Sequence, residues 1–252
     1  MGLYDSEHIW YICLSLPIAI GLAFLGKLIK SDKWQKLYIF FFALITVILH
    51  LSILWVDFFK NDGAVVIGRD ILFPAYFCNF IMNLELIFAM ELHFKNRFMN
   101  GALTFCAYAG IFGSLITLFT NAPGFGSWGH LQSALSHSTM LVTSLLFFTC
   151  GYAKVNVFNL IPVSFGLIIS GLTGGFVELI YYIMGKGPVN AMYLMHGPAG
   201  FETINGFIFA LLFVIIIFVF AVIYEAIAKR KDKEKMWYKN IDDINLYLPI
   251  KK

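Results

Sequence analysis

Cys78 and His137 are the side chains in this sequence best suited to covalent chemistry. A thiolate attacks an acyl carbonyl; an imidazole removes the thiol proton and later protonates the leaving group. A bare thiol in hydrocarbon resists ionisation, so an adjacent imidazole matters more there than in water. Asn79, Ser136 or Gln132 can donate to an oxyanion or orient the ring. Helical spacing puts Cys78, Met82 and Glu85 on one face, flanked by Asn79 and Asn83. It puts His130, Ser133 and His137 on another face, with Gln132 and Ser136 beside them. An inert core cysteine and a hydrogen-bonded histidine fit the same spacing.

Two other chemistries use neighbouring residues. His50, His137, His196 and Glu178 could converge on a cation. However, His130 and His137 lie about 10 Å apart along one helix, and the chain has no HExxH or CxxC spacing. No metal site and no cofactor are therefore expected. Asp57, Glu85, Glu178 and the histidines could instead line a proton or solute path, with Glu85 the deepest of them.

The elements that must hold these groups are apolar. Of 252 residues, 60% are hydrophobic and 13% charged, and mean hydropathy is +0.79. A soluble domain carries about 25% charged residues. Composition thus predicts an all-α, polytopic transmembrane bundle of about seven helices. The seven runs are Ile9–Gly26, Leu37–Phe59, Ile71–Met90, Met99–Phe119, Ser133–Tyr152, Phe158–Met184 and Ile204–Ile227. Residues 1–228 form the transmembrane domain and 229–252 a basic tail. Cys13, Cys78, Cys106 and Cys150 all fall in apolar runs, so no disulfide framework is expected. Asp5 and Glu7 precede the first run without Lys or Arg, which is the wrong charge for a cleavable signal peptide.

Fifteen of the 18 Lys and Arg residues fall on one side of this topology, and Lys60, Arg69 and Lys186 on the other. The positive-inside rule then puts the N-terminus outside and the C-terminus in the cytoplasm of a multi-pass cell-membrane protein. The basic tail flanks the last span, and the net charge of +3 is topological and does not indicate nucleic acid. Gly110 and Gly113, and a Gly171-x-x-x-Gly175 step beside Gly166, Ser170 and Gly174, let helices approach closely within the bundle.

Depth follows from this topology. Cys78 lies about 10 Å below the outer end of span three, with His137 at a similar or shallower level. Asp57 falls near the outer surface and His50 deeper, while Glu178 lies in the last turns of span six and His196 in the following loop. The polar groups converge on the outer half, and few besides Glu85 fall in the inner half. The uncharged stretch Thr120–His130 and the Gly- and Pro-rich stretch Gly185–Gly200 suit caps over that half.

The Pro74-x-x-x-Cys78 motif, the Gly-rich span ending in Thr120 and the His130/His137 pair resemble the YwaF-like bacterial integral membrane family, relatives of vertebrate transmembrane protein 164. The motifs cover roughly residues 70–140. The resemblance implies a phospholipid acyltransferase-like protein, with Cys78 as nucleophile and His137 as base, acting on membrane phospholipids. The more distant androgen-induced hydrolase family implies lipid ester hydrolysis on a similar bundle. The chain departs from the pattern at Tyr76, where bacterial relatives often carry histidine; tyrosine can donate a proton but is a poor base near neutral pH. A non-enzymatic transporter or scaffold is the alternative of a different class.

Overall fold

The computed structural model describes residues 5–60, 75–93, 96–120, 128–185, 187–197 and 202–228, with 236 and 238. Phe73, Pro74, residues 121–127 and almost all of the tail lie outside the described residues, as do the side chains of Asp57 and Arg97. The described residues form seven α-helices: α1 Ser6–Leu28, α2 Asp32–Lys60, α3 Phe77–Met90, α4 Arg97–Thr120, α5 Trp128–Thr149, α6 Leu160–Ile183 and α7 Gly206–Ala228. Among the described residues there is no strand.

Five of the helices, α1, α2, α4, α6 and α7, are long and apolar enough to cross a membrane. Their outward faces carry Trp10, Phe24, Phe165, Leu172, Phe207 and Leu211 exposed, as a hydrocarbon solvent requires. The other two depart from the expectation of seven equal spans. Helix α3 has 14 residues, and α5 is 22 residues long but rich in hydroxyls. Hydropathy alone does not mark α5 as a span because it is the hub of the bundle: α1, α2 and α4 all pack around it. A helix surrounded by other helices meets little lipid, so polar residues on it can be satisfied by neighbours.

Those neighbours are specific. Tyr11 donates to the Ala134 carbonyl at 2.6 Å and lies 2.6 Å from Ser138 Oγ. Thr46 donates to Thr139 at 2.8 Å, and Trp128 Nε1 to Ser52 Oγ at 2.9 Å. At the opposite end, Thr149 donates to the Ala23 carbonyl at 3.1 Å. His8, fully buried, holds α1 to the end of α4 through Nε2 and the Leu118 carbonyl at 2.8 Å. These contacts place the start of α1, the end of α2, the end of α4 and the start of α5 at one end of the bundle, here the His8 end.

Close approach follows glycine, but not at every position expected. A Cβ on Gly26 would lie 2.2 Å from Leu146, one on Gly166 2.3 Å from Phe105, and one on Gly174 2.7 Å from Met192. Gly171 and Gly175 meet nothing within 4 Å, so that step is not a packing seam of this chain.

Helix α3 starts later than its apolar run. Ala75 and Tyr76 precede it, Tyr76 is extended at φ −107°, and the first helical residue is Phe77. The physical reason is a competing partner: the Ala75 carbonyl accepts from Met192 N at 2.5 Å, and Tyr76 packs on Tyr193 with ring centroids 5.5 Å apart. The segment before α7 thus folds onto the entrance of α3.

The polar residues are also less one-sided than expected. At the end opposite His8, buried Glu225 accepts from Val157 N at 3.2 Å beside buried Asn156 and Asn159. Hydropathy places Glu225 at the tip of the last span; folding turns it inward against the short 3-10 turn Val157–Asn159.

Candidate functional site

Three helices meet in register near the middle of the bundle. Glu85 of α3 is hydrogen-bonded to Ser144 of α5, and a Cβ on Gly110 of α4 would strike both. One turn further along α4, a Cβ on Gly113 would lie 3.2 Å from Cys78 Sγ and 3.6 Å from Met140 Cε. Moving from Gly110 to Gly113 therefore moves backwards along both α3 and α5, so those two run parallel to each other and antiparallel to α4. The next turn of α4 carries Thr117, whose hydroxyl faces the Cys78 thiol. The next turn of α5 carries His137. Seven residues separate Glu85 from Cys78 and seven separate Ser144 from His137, and seven residues return a helix to nearly the same face. Cys78, Thr117 and His137 thus share one level of the bundle. Gly113 lies seven residues from the end of α4 at Thr120, about 10 Å below it.

Each group has a defined local state. Cys78 is half-buried in the first turn of α3. Tyr76, at the N-cap of α3, makes no side-chain cap hydrogen bond. The first N–H groups of a helix lack intrahelical partners, and the helix dipole is positive there. The His137 ring is buried, with Nδ1 2.7 Å from the Ser133 carbonyl. A carbonyl only accepts, so Nδ1 carries the proton and Nε2 the free lone pair. The thiol and the imidazole are not hydrogen-bonded to each other in this state.

The other sequence candidates separate into three groups. Asn79, Gln132 and Ser136 are buried on α3 and α5. Asn79 accepts from Asn83 through its carbonyl, and Ser136 Oγ donates to the Ser133 carbonyl at 3.0 Å. Glu85 is fully buried two turns below Cys78. The remaining candidates stand apart from the Cys78 level. His130 is exposed in the first turn of α5. Glu178 accepts from Val189 N and Ala191 N, so it anchors the segment after α6. His196 is exposed on that segment, within 3.2 Å of Asn190. Among the described residues no group of three His, Cys, Asp or Glu is placed to hold a metal ion.

Of two further participants, Thr117 was not singled out from sequence, and His50 was considered only as a possible cation ligand or path-lining group. Thr117 reads as one more small residue near the end of an apolar span, and only its step of four from Gly113 hints at the seam. His50 on α2 is buried, and it is an electrostatic neighbour of His137.

A cavity of about 750 Å³ lies between α3, α4 and α6, lined by Phe80, Leu84, Phe88, Phe105, Pro162 and Phe165 among others. It is almost wholly apolar. Phe80 follows Cys78 by two residues, which is more than half a helical turn, so the cavity lies on the far side of α3 from the thiol.

Comparison with family models, with curated proteins and with solved structures gives no match. The fold and site geometry therefore stand on the chain itself, which is a multi-pass helical membrane protein.

Proposed function

We propose that this chain transfers acyl groups between membrane lipids, with Cys78 as nucleophile and His137 as base. The observation that carries the reading is the shared level of Cys78, Thr117 and His137, set by the Glu85–Ser144 and glycine contacts. His137 Nε2, unprotonated, takes the thiol proton. The sulfur attacks the ester carbonyl of a phospholipid, a C–S bond forms, and the C–O bond to the glycerol breaks. The imidazolium returns the proton to the leaving alkoxide. The uncapped N–H groups at the start of α3 and the Asn79 side chain are near enough in sequence to stabilise the negative oxygen of the tetrahedral intermediate. Thr117 holds the thiol on the α4 side.

The reading is further supported by the intermediate exposure of Cys78 as a residue and by the resemblance of its motifs to the YwaF-like family. In the orientation that the positive-inside rule predicts, this site would open to the outer leaflet of the cell membrane. With water as acceptor, the same site is a lipid ester hydrolase.

The test is product formation. Purified protein in lipid nanodiscs, given a phospholipid with a labelled chain and an unlabelled lysophospholipid, should yield labelled diacyl lipid or labelled free fatty acid. Cys78→Ala should abolish both products. Equal turnover by Cys78→Ala would end the proposal.

A further inference from the structure

Among the described residues, two buried polar atoms at the α2–α5 seam have no hydrogen-bond partner: His50 Nε2 and Gln132 Oε1. Their side chains are only 7% and 8% exposed. An unsatisfied buried polar atom is costly, so two of them on one helix seam require a reason. They are at the same height. The α2–α5 seam is pinned by Thr46 against Thr139 and by Ile53 Cδ1, which a Cβ on Gly129 would approach to 3.6 Å. Between those pins the antiparallel register sets His50 opposite the turn of Gln132. Gln132 precedes Thr139 by seven residues, so it shares the face of α5 that Thr139 turns to α2. His50 follows Thr46 by four residues and stays near the seam.

We propose that His50 and Gln132 form the acceptor subsite, holding the hydroxyl group that takes the acyl group from Cys78. The inference rests on the acyl-transfer reading and extends it to the second half of the reaction. The donor pattern selects the guest. Gln132 Oε1 only accepts, so the guest must donate to it, which excludes a carboxylate or a phosphate oxygen. His50 Nε2 donates or accepts according to tautomer, and a hydroxyl answers either. A cation would need a carboxylate, and the nearest described one on α3, Glu85, is two turns further along and already bound to Ser144. Water and a lipid alcohol share the required O–H. His137 is the electrostatic neighbour of His50, and the proposal gives it the proton of the bound hydroxyl. The step balances: the hydroxyl oxygen bonds to the thioester carbon, the C–S bond breaks, the hydroxyl proton passes to His137 Nε2, and His137 returns it to the Cys78 sulfur. The thiol is regenerated, and an ester or a free acid leaves.

The experiment separates loading from discharge. Full-length protein in nanodiscs is loaded from a phospholipid with a labelled chain, then chased with buffer alone or with lysophospholipid. Label on Cys78 is followed by peptide mass. His50→Ala and Gln132→Ala should load Cys78 to within about twofold of wild type and discharge it about tenfold more slowly, as lost positioning of a reactant predicts. His50→Gln, which keeps a donor and an acceptor, should recover much of the rate. High lysophospholipid should rescue the alanine variants if the acceptor is the lipid alcohol; free fatty acid as the only product identifies water. Loading at wild-type amplitude also reports that the variants are folded. Wild-type discharge by all three variants would overturn the subsite and leave the thioester chemistry standing. Absence of label from Cys78 in wild type would overturn both.

Discussion

The Glu85 carboxyl, fully buried, is hydrogen-bonded to the Ser144 hydroxyl across α3 and α5. This one contact sets the register that brings Cys78 level with His137. Among the described residues Glu85 Oε2 has no partner of its own, so the carboxyl depends on the Ser144 bond. Ser144→Ala removes its hydrogen-bond partner and should destabilise the protein by about 1–3 kcal/mol, read as a lower unfolding midpoint in detergent. Glu85→Gln keeps the shape and a hydrogen-bond acceptor for Ser144 and should stay closer to wild type than Glu85→Ala.

Register can be read directly by cross-linking. In a chain lacking Cys13, Cys106 and Cys150, His137→Cys should form a disulfide with Cys78 under mild oxidation. Disulfides need Cα atoms within about 7 Å, a separation that the proposed pairing of Cys78 with His137 requires. Thr139→Cys, turned toward α2, should not. Peptide mapping under non-reducing conditions distinguishes the two.

Glycine substitutions should divide by position. A Cβ on Gly110 would sit 2.0 Å from Ser144 Oγ and 2.5 Å from Glu85 Oε1, so Gly110→Ala should cost about 1–3 kcal/mol through overpacking. Gly171 has open space around it, so Gly171→Ala should be neutral or gain up to about 1 kcal/mol in helix propensity. Thermal unfolding of both variants checks the contrast.

The class of fold was legible because lipid imposes a simple rule: long apolar runs form helices. The rule found the run Ser133–Tyr152 but not its place at the hub, because it is weakest where helices do not face lipid. Helix α5 carries Gln132, Ser133, Ser136, His137, Thr143 and Ser144 because other helices surround it, and hydropathy cannot distinguish that from a weak span. The start of α3 was misjudged because its apolar run continues through Ala75 and Tyr76, while the competing partners, Met192 and Tyr193, lie more than a hundred residues away. Cys78 and His137 were visible as residue types, and their common level was not. That level depends on Gly110 and Gly113, which sequence marks only as small.

Tyr11 ties α1 to the site helix through Ala134 and Ser138. Tyr11→Phe keeps the ring and loses the hydroxyl, so it should cost about 0.5–1.5 kcal/mol and leave acyl transfer detectable. Unfolding midpoint and product formation, measured on the same preparation, check both parts.

The most direct measurement is the mass of the protein itself after brief exposure to phospholipid. The account predicts an acyl adduct on Cys78 that hydroxylamine removes. The adduct should be absent in Cys78→Ala and form more slowly in His137→Ala, by about 100-fold or more for loss of a general base. An unmodified Cys78 across a broad panel of phospholipids, or adduct formation at full rate in His137→Ala, would contradict it.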